Sequence, residues 1–260
     1  MSHLSAAALG AIAGSTIFIG LPVGRIRGIS KAAQGLLNAI ATGVLIFLFW
    51  DILSHASAPV ETALAAMHRG DRGFVIQVAI FAFGIASGLL SLVYVNARLF
   101  GRTKNAPPAA PRTLAMMIAT GLGFHNLSEG LAIGQSAATG AIAFAVVLVI
   151  GFALHNVTEG FGIAAPLAME TTMPSWGFLA LAGLVGGGPT FLGTVIGYVF
   201  TSTYIYVLFL ALAAGALLYV INEMFHIGRR LNSPVAMGWG LVAGFLLGYA
   251  TDLLLTYLAA

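Results

Sequence analysis

Two copies of one polar motif stand inside sequence that is otherwise apolar. Phe124-His125-Asn126-Leu127-Ser128-Glu129-Gly130 is followed thirty positions later by Leu154-His155-Asn156-Val157-Thr158-Glu159-Gly160. Residues four apart share a helix face, so His125 points with Glu129 and His155 with Glu159. An ionised carboxylate at mid-bilayer costs about 2.5–3.5 kcal/mol even on the mildest scale. A divalent cation is the simplest partner for two such pairs. Two imidazoles and two carboxylates suit zinc, and less selectively manganese, iron(II), cobalt, nickel or cadmium. Asn126 and Asn156 lie on the adjoining edge of the stripe, where their amide oxygens can serve a second ion bridged by the glutamates. A proton relay through the His–Glu pairs, without metal, is the alternative chemistry.

The elements that must position these groups are membrane helices. Hydrophobic residues make up 59% of the 260 and charged residues only 7%, against roughly 25% charged in soluble domains. Eight apolar spans are expected. They run Leu4 to Leu21, Ala32 to Ala56, Phe74 to Leu99, Arg112 to Ala137, Ala141 to Met169, Trp176 to Phe200, Tyr204 to Ile227 and Val235 to Leu258. The fold class is therefore an all-α integral membrane protein, a single polytopic domain over 1–260, with the metal centre between the fourth and fifth spans. The connections Ser57 to Gly73 and Phe100 to Pro111 are the longest, and the latter, with Pro107, Pro108 and Pro111, reads as a short flexible cytoplasmic loop. No basic segment precedes the first apolar run, which is read as a span and not a cleaved signal. The fourth and fifth spans run antiparallel if the chain turns at Thr139-Gly140. Each motif then sits about 13 residues, roughly 20 Å, below that turn.

Charge sets the orientation. Arg25, Arg27, Lys31, Arg98, Arg102, Lys104, Arg112, Arg229 and Arg230 flank loops on one side, and Arg69 and Arg72 the other. The positive-inside rule places both termini outside the cytoplasm. A net charge of +3 is too small to imply nucleic acid as a partner, and with no cysteine any metal site uses nitrogen and oxygen donors.

Further polar residues fall within the spans. Asp51 and His55 share a face near one end of the second span, as entry ligands or a helix-end pair. Glu223 and His226 lie near the cytoplasmic end of the seventh, as release ligands or an interfacial ion pair with Arg229 and Arg230. Asn38, Gln77, Asn96 and Gln135 read as helix–helix hydrogen-bonding amides. Asp252 has no basic partner nearby in sequence. Gly186-Gly187-Gly188-Pro189 is expected to break or bend the sixth span.

At the paired motif the chain resembles the ZIP family of divalent-metal transporters, and within it the prokaryotic subgroup with His-Asn-x-x-Glu-Gly on both the fourth and fifth helices. The resemblance covers essentially the whole chain. It implies a two-site centre, with His125, Glu129, His155 and Glu159 as the main site and Asn126, Asn156 and the two glutamates as the auxiliary one. It also implies a multi-pass protein of the cell membrane that carries zinc, cadmium, iron or manganese into the cytoplasm by an elevator-like movement, often as a homodimer. Two departures stand out. Ser128 and Thr158 replace the usual proline, and Gly188 stands where an acidic ligand is expected, which points to one dominant metal or a weak second one.

Two other functions compete. A passive metal channel could use the same residues. An intramembrane zinc hydrolase would need a general base such as the glutamate of His-Glu-x-x-His, and asparagine occupies that place here. No ATP-binding loop is present. The sequence therefore reads as a secondary-type carrier and not an enzyme.

Overall fold

A computed structural model describes residues 1–26, 28, 30–67, 73–99, 111–170, 172–200 and 202–259. Its helices are α1 (His3–Ser15), α2 (Ile17–Gly20), α3 (Lys31–Met67), α4 (Gly73–Leu99), α5 (Pro111–Ala138), α6 (Ile142–Ala164), α7 (Trp176–Val199), α8 (Thr203–Leu231) and α9 (Pro234–Ala259). Short 3-10 turns at Leu21–Arg25 and Ala165–Met169 extend α2 and α6, each with a proline in its first turn. No strand occurs among the described residues. Local signals mark several ends. Ser2 and Ser175 cap α1 and α7 through their hydroxyls, and Asn232 ends α8 in the left-handed region at φ 49°. Between α5 and α6 the chain turns at Thr139-Gly140, where Gly140 adopts φ +84° at no steric cost. Arg27, Arg69, Asp71, Arg72, Arg102, Lys104 and the loop residues 100–110 lie outside the described residues.

Seven helical segments are long and apolar enough to cross a membrane: His3–Arg25, Lys31–Met67, Gly73–Arg98, Ile142–Leu167, Trp176–Val199, Thr203–Leu231 and Pro234–Leu254. The expected fourth span, α5, has the length at 28 residues but not the apolar composition. It carries His125, Asn126, Ser128, Glu129, Gln135 and Ser136.

Two expectations are corrected here. The helix of the second expected span, α3, does not end near Ala56. It continues through Pro59 to Met67, because the Ala-, Leu- and Glu-rich stretch beyond the proline favours helix. The triple glycine and Pro189 do not break α7, which is one helix from Trp176 to Val199. There the glycines serve close packing instead: Gly187 backs onto the carbonyl of Gly14 on α1.

Such glycine contacts organise the bundle, since membrane helices associate through packing and not through a hydrophobic drive. One group comprises α1, α5, α6 and α7, the other α3, α4, α8 and α9, with α5 and α3 both resting on α8. Gly130 on α5 abuts the Thr190 carbonyl on α7, and Gly193 on α7 abuts the Leu127 carbonyl on α5. Successive contacts show that α5 and α7, α4 and α8, and α3 and α9 run parallel. On α9, Gly240 lies against Leu36, Gly244 against Ile40 and Gly248 against Phe47. Asn38 Nδ2 donates to the Met224 carbonyl at 3.1 Å and Asn96 Nδ2 to the Tyr219 hydroxyl at 2.8 Å, as expected of helix-bridging amides. Gln77 differs, with a buried Oε1 that has no hydrogen-bond partner.

Candidate metal centre

Antiparallel packing of α5 on α6 brings the motifs into opposition, His125 level with Glu159 and Glu129 level with His155. All four side chains are buried, as are Asn126 and Asn156. His155 Nε2 hydrogen-bonds Glu129 Oε1 across the helix pair. His125 Nε2 lies 3.0 Å from the same oxygen and 3.5 Å from Glu159 Oε1. Ligand atoms of His125, Glu129 and His155 all fall within 4.8 Å of one another. Glu159 stands beside this trio, on the far side of His125. Its Oε2 accepts from Asn126 Nδ2 at 2.9 Å.

The amides fasten the site to its surroundings. Asn126 Nδ2 also donates to the Gly186 carbonyl on α7 at 2.9 Å, and Asn156 Nδ2 donates to the Ala13 carbonyl on α1 at 3.0 Å. Ser128 and Thr158 hydroxyls each donate to the carbonyl of the motif histidine one turn back, at 2.6 Å.

Several polar atoms in this buried cluster have no hydrogen-bond partner: both ring nitrogens of His125, Oδ1 of Asn126 and Asn156, Glu129 Oε2 and Glu159 Oε1. His125 Nε2 is close to two carboxylates, yet neither approach has hydrogen-bond geometry. Each orphaned buried group costs on the order of 1–3 kcal/mol. So many in one place, all of them oxygen or imidazole nitrogen, are of the types that could hold a divalent cation.

The family model for the ZIP zinc transporter matches residues 98–249, more than half of the chain and inclusive of both motifs. The chain belongs to the ZIP zinc transporter family. No curated protein matches it. Membership makes this a multi-pass membrane protein of a family that transports metal ions and does not catalyse reactions. The buried His125–Glu129–His155 group could hold a metal ion.

A cavity of about 480 Å³ reaches the group. His125, Ser128, Glu129 and His155 line its inner part, and Asp51, His55 and Asp252 its outer part, with Phe144, Phe152 and Tyr206 among the walls. Asp51 and His55, singled out from sequence, are thus on the route. Glu223 and His226 are not brought to the cavity. Glu223 sits half-buried beside Tyr219, and His226 is exposed. Gly188 has no atom within 4 Å of where a side chain would begin, so no neighbour fills the place of the expected acidic ligand. Two cavity residues escaped the sequence reading. Asp252 was visible only as an isolated acid, although Gly240, Gly244 and Gly248 mark a packing face one turn before it. Nothing in the sequence singled out Tyr206.

Proposed function

We propose that this ZIP protein is a carrier of divalent transition-metal ions, zinc foremost, with His125, Glu129, His155 and Glu159 as its main binding centre and Asn126 and Asn156 beside it. The observation that carries the reading is the buried His125–Glu129–His155 group, whose ligand atoms lie within 4.8 Å of one another. Glu159 joins through His125 and would enter the coordination sphere when an ion draws the four side chains together. With Gly188 supplying no ligand, one ion dominates at this inner centre. Cadmium, iron(II) and manganese fit the same donors.

Direction supports an eighth crossing by α5. The second and eighth expected spans, α3 and α9, run parallel. With α4, α6, α7 and α8 each crossing once, as their length and apolar composition suit, parallel ends need a further crossing, and α5 would supply it. The basic residues then put both termini outside the cytoplasm, in the cell membrane. In that orientation the cavity opens outward, since it lies toward the Thr139-Gly140 turn. On the other side of the motifs Ile118, Leu122, Ile163, Leu217 and Met224 form a fully buried apolar plug. An ion reaching the cytoplasm must therefore await a rearrangement. Movement of the α1–α5–α6–α7 group against the α3–α4–α8–α9 group is the elevator step that the packing suits, with a homodimer formed through the latter. Glu223 and His226 would meet the ion only after that step.

Uptake of zinc and cadmium by protein reconstituted in liposomes tests the assignment. Saturable uptake lost in His155→Ala and Glu159→Ala is expected. Unchanged flux in both variants removes the site, and unsaturable, voltage-following flux favours a channel.

A further inference from the structure

On the side of the centre away from the cavity, α5 meets α8 largely through apolar packing. Ile118 and Leu122 on α5 and Leu217 and Val220 on α8 are fully buried. Gly121 backs onto Val220, so the two helices lie close. Apolar burial is non-directional. It opposes the separation of α5 from α8 more than their sliding along each other. A directional contact is what fixes the height of one helix on the other, and Tyr219 supplies one. Its hydroxyl donates to Met117 Sδ on α5 at 3.7 Å and accepts from Asn96 Nδ2 on α4 at 2.8 Å. Tyr219 and Met117 are both buried. Met117 stands about two helical turns before His125 on the same helix.

The buried amides bond inside one helix group. Asn38 joins α3 to α8, Asn126 joins α5 to α6 and α7, and Asn156 joins α6 to α1. Tyr219 instead reaches from one group to the other. Its neighbours set the direction of its proton. An amide nitrogen can only donate, so the Tyr219 oxygen accepts from Asn96 and its own hydrogen is left for Met117. A thioether is a weak acceptor. Glu223 stands one turn along α8 on the same face and interacts with Tyr219. Its carboxylate is the stronger acceptor. The Tyr219 hydroxyl therefore has a second partner at hand if Met117 moves away, and no buried donor is orphaned by the change.

We infer that Tyr219, oriented by Asn96, is a catch that holds α5 at its present height on α8, with the cavity open and the apolar plug closed, and that it lets Met117 go when the two helix groups slide. The inference rests on the movement proposed above. Tyr219 is a positioning residue: it bonds Met117 and Asn96, not the His–Glu group. Because its bond to α5 ends on sulfur, the catch is weak enough to open in every cycle. Its removal should shift the balance between the two positions by about threefold, the effect of one modest hydrogen bond, and should leave the metal donors as they are.

The chain has no cysteine, so a single introduced thiol reports cleanly. Ile118→Cys places one in the closed plug, where a water-soluble thiol reagent reaches it only after α5 has moved. In the full-length protein in liposomes, Tyr219→Phe should speed its labelling about threefold while cadmium affinity stays at the parental value. Met117→Leu keeps the volume and removes the sulfur, and it should give the same rise. The two together should give no more than either alone, since both remove one bond. Tyr219→Phe or Met117→Leu that melts like the parent and labels no faster overturns the catch. So does a double variant whose effect is the product of the two. A zinc arm separates this inference from the movement beneath it. If zinc is taken up but Ile118→Cys is never labelled in any of the proteins, the movement fails and the catch with it. If zinc speeds labelling in the parent and Tyr219→Phe does not, only the catch fails.

Discussion

Asn126 on α5 donates one amide to two acceptors, Glu159 Oε2 on α6 and the Gly186 carbonyl on α7, both at 2.9 Å. A single side chain thus ties three helices together at the level of the candidate metal centre and holds Glu159 beside His125. Asn126→Leu removes both bonds and leaves a buried carboxylate without its donor. The expected loss is about 1–3 kcal/mol of stability, read as a lower melting temperature in detergent without metal. Added zinc should raise the melting temperature of the variant less than that of the parent, since Glu159 loses its orientation.

The Glu129–His155 contact predicts a different pattern. Glu129→Gln preserves size and a hydrogen-bonding oxygen for His155, but it removes the charge that two imidazoles and a cation share. Fold should survive while affinity does not. Even residues that merely orient a metal ligand cost 10–100-fold when changed, so loss of this ligand should weaken zinc binding by about 100-fold or more. Calorimetric titration of the purified variant checks it. Near-parental affinity would exclude Glu129 as a ligand.

Helix spacing is tested by two glycines. A Cβ at Gly130 would run into the Thr190 carbonyl and come within 2.7 Å of the Thr194 nitrogen, whereas one at Gly188 meets nothing within 4 Å. Gly130→Ala forces α5 from α7 and should cost about 1–3 kcal/mol, as overpacking does. It should also depress uptake, because α5 carries His125 and Glu129. Gly188→Ala should leave both melting and uptake near the parental values. Equal effects of the two would contradict the packing described here.

The duplicated motif was legible from sequence because ionisable residues in apolar surroundings are rare and their spacing of four fixes a common face. The turn at Gly140 was legible for a similar reason, as a small flexible residue midway between the copies. Helix ends were less so. Hydropathy falls near Ala56, yet the backbone continues to Met67, since polarity governs burial and only propensity and hydrogen bonding govern helix. Pro189 misled in the opposite sense: Gly186 and Gly187 are packed against neighbouring helices that keep α7 whole. Asp252 needed the fold, because the residues that line the cavity beside it, Asp51 and His55, lie on α3, about two hundred residues away in sequence. The offset of Glu159 from the other three candidate ligands likewise depends on how α5 and α6 are rotated, which spacing does not determine.

The donor set also fixes the sign of the pH dependence. Zinc and cadmium bind neutral imidazole and ionised carboxylate, so an ion that enters displaces whatever protons His125, Glu129 and His155 hold. Falling pH therefore weakens binding, by up to about tenfold per pH unit for each proton displaced. Cadmium dissociation constants measured from pH 8 down to pH 5.5 should rise steadily. Binding in lightly buffered solution should release protons, and fewer in His155→Ala, which has one fewer group to deprotonate. An affinity flat across that range would mean that the ion is held by the amides of Asn126 and Asn156 and by backbone carbonyls, groups that do not titrate there.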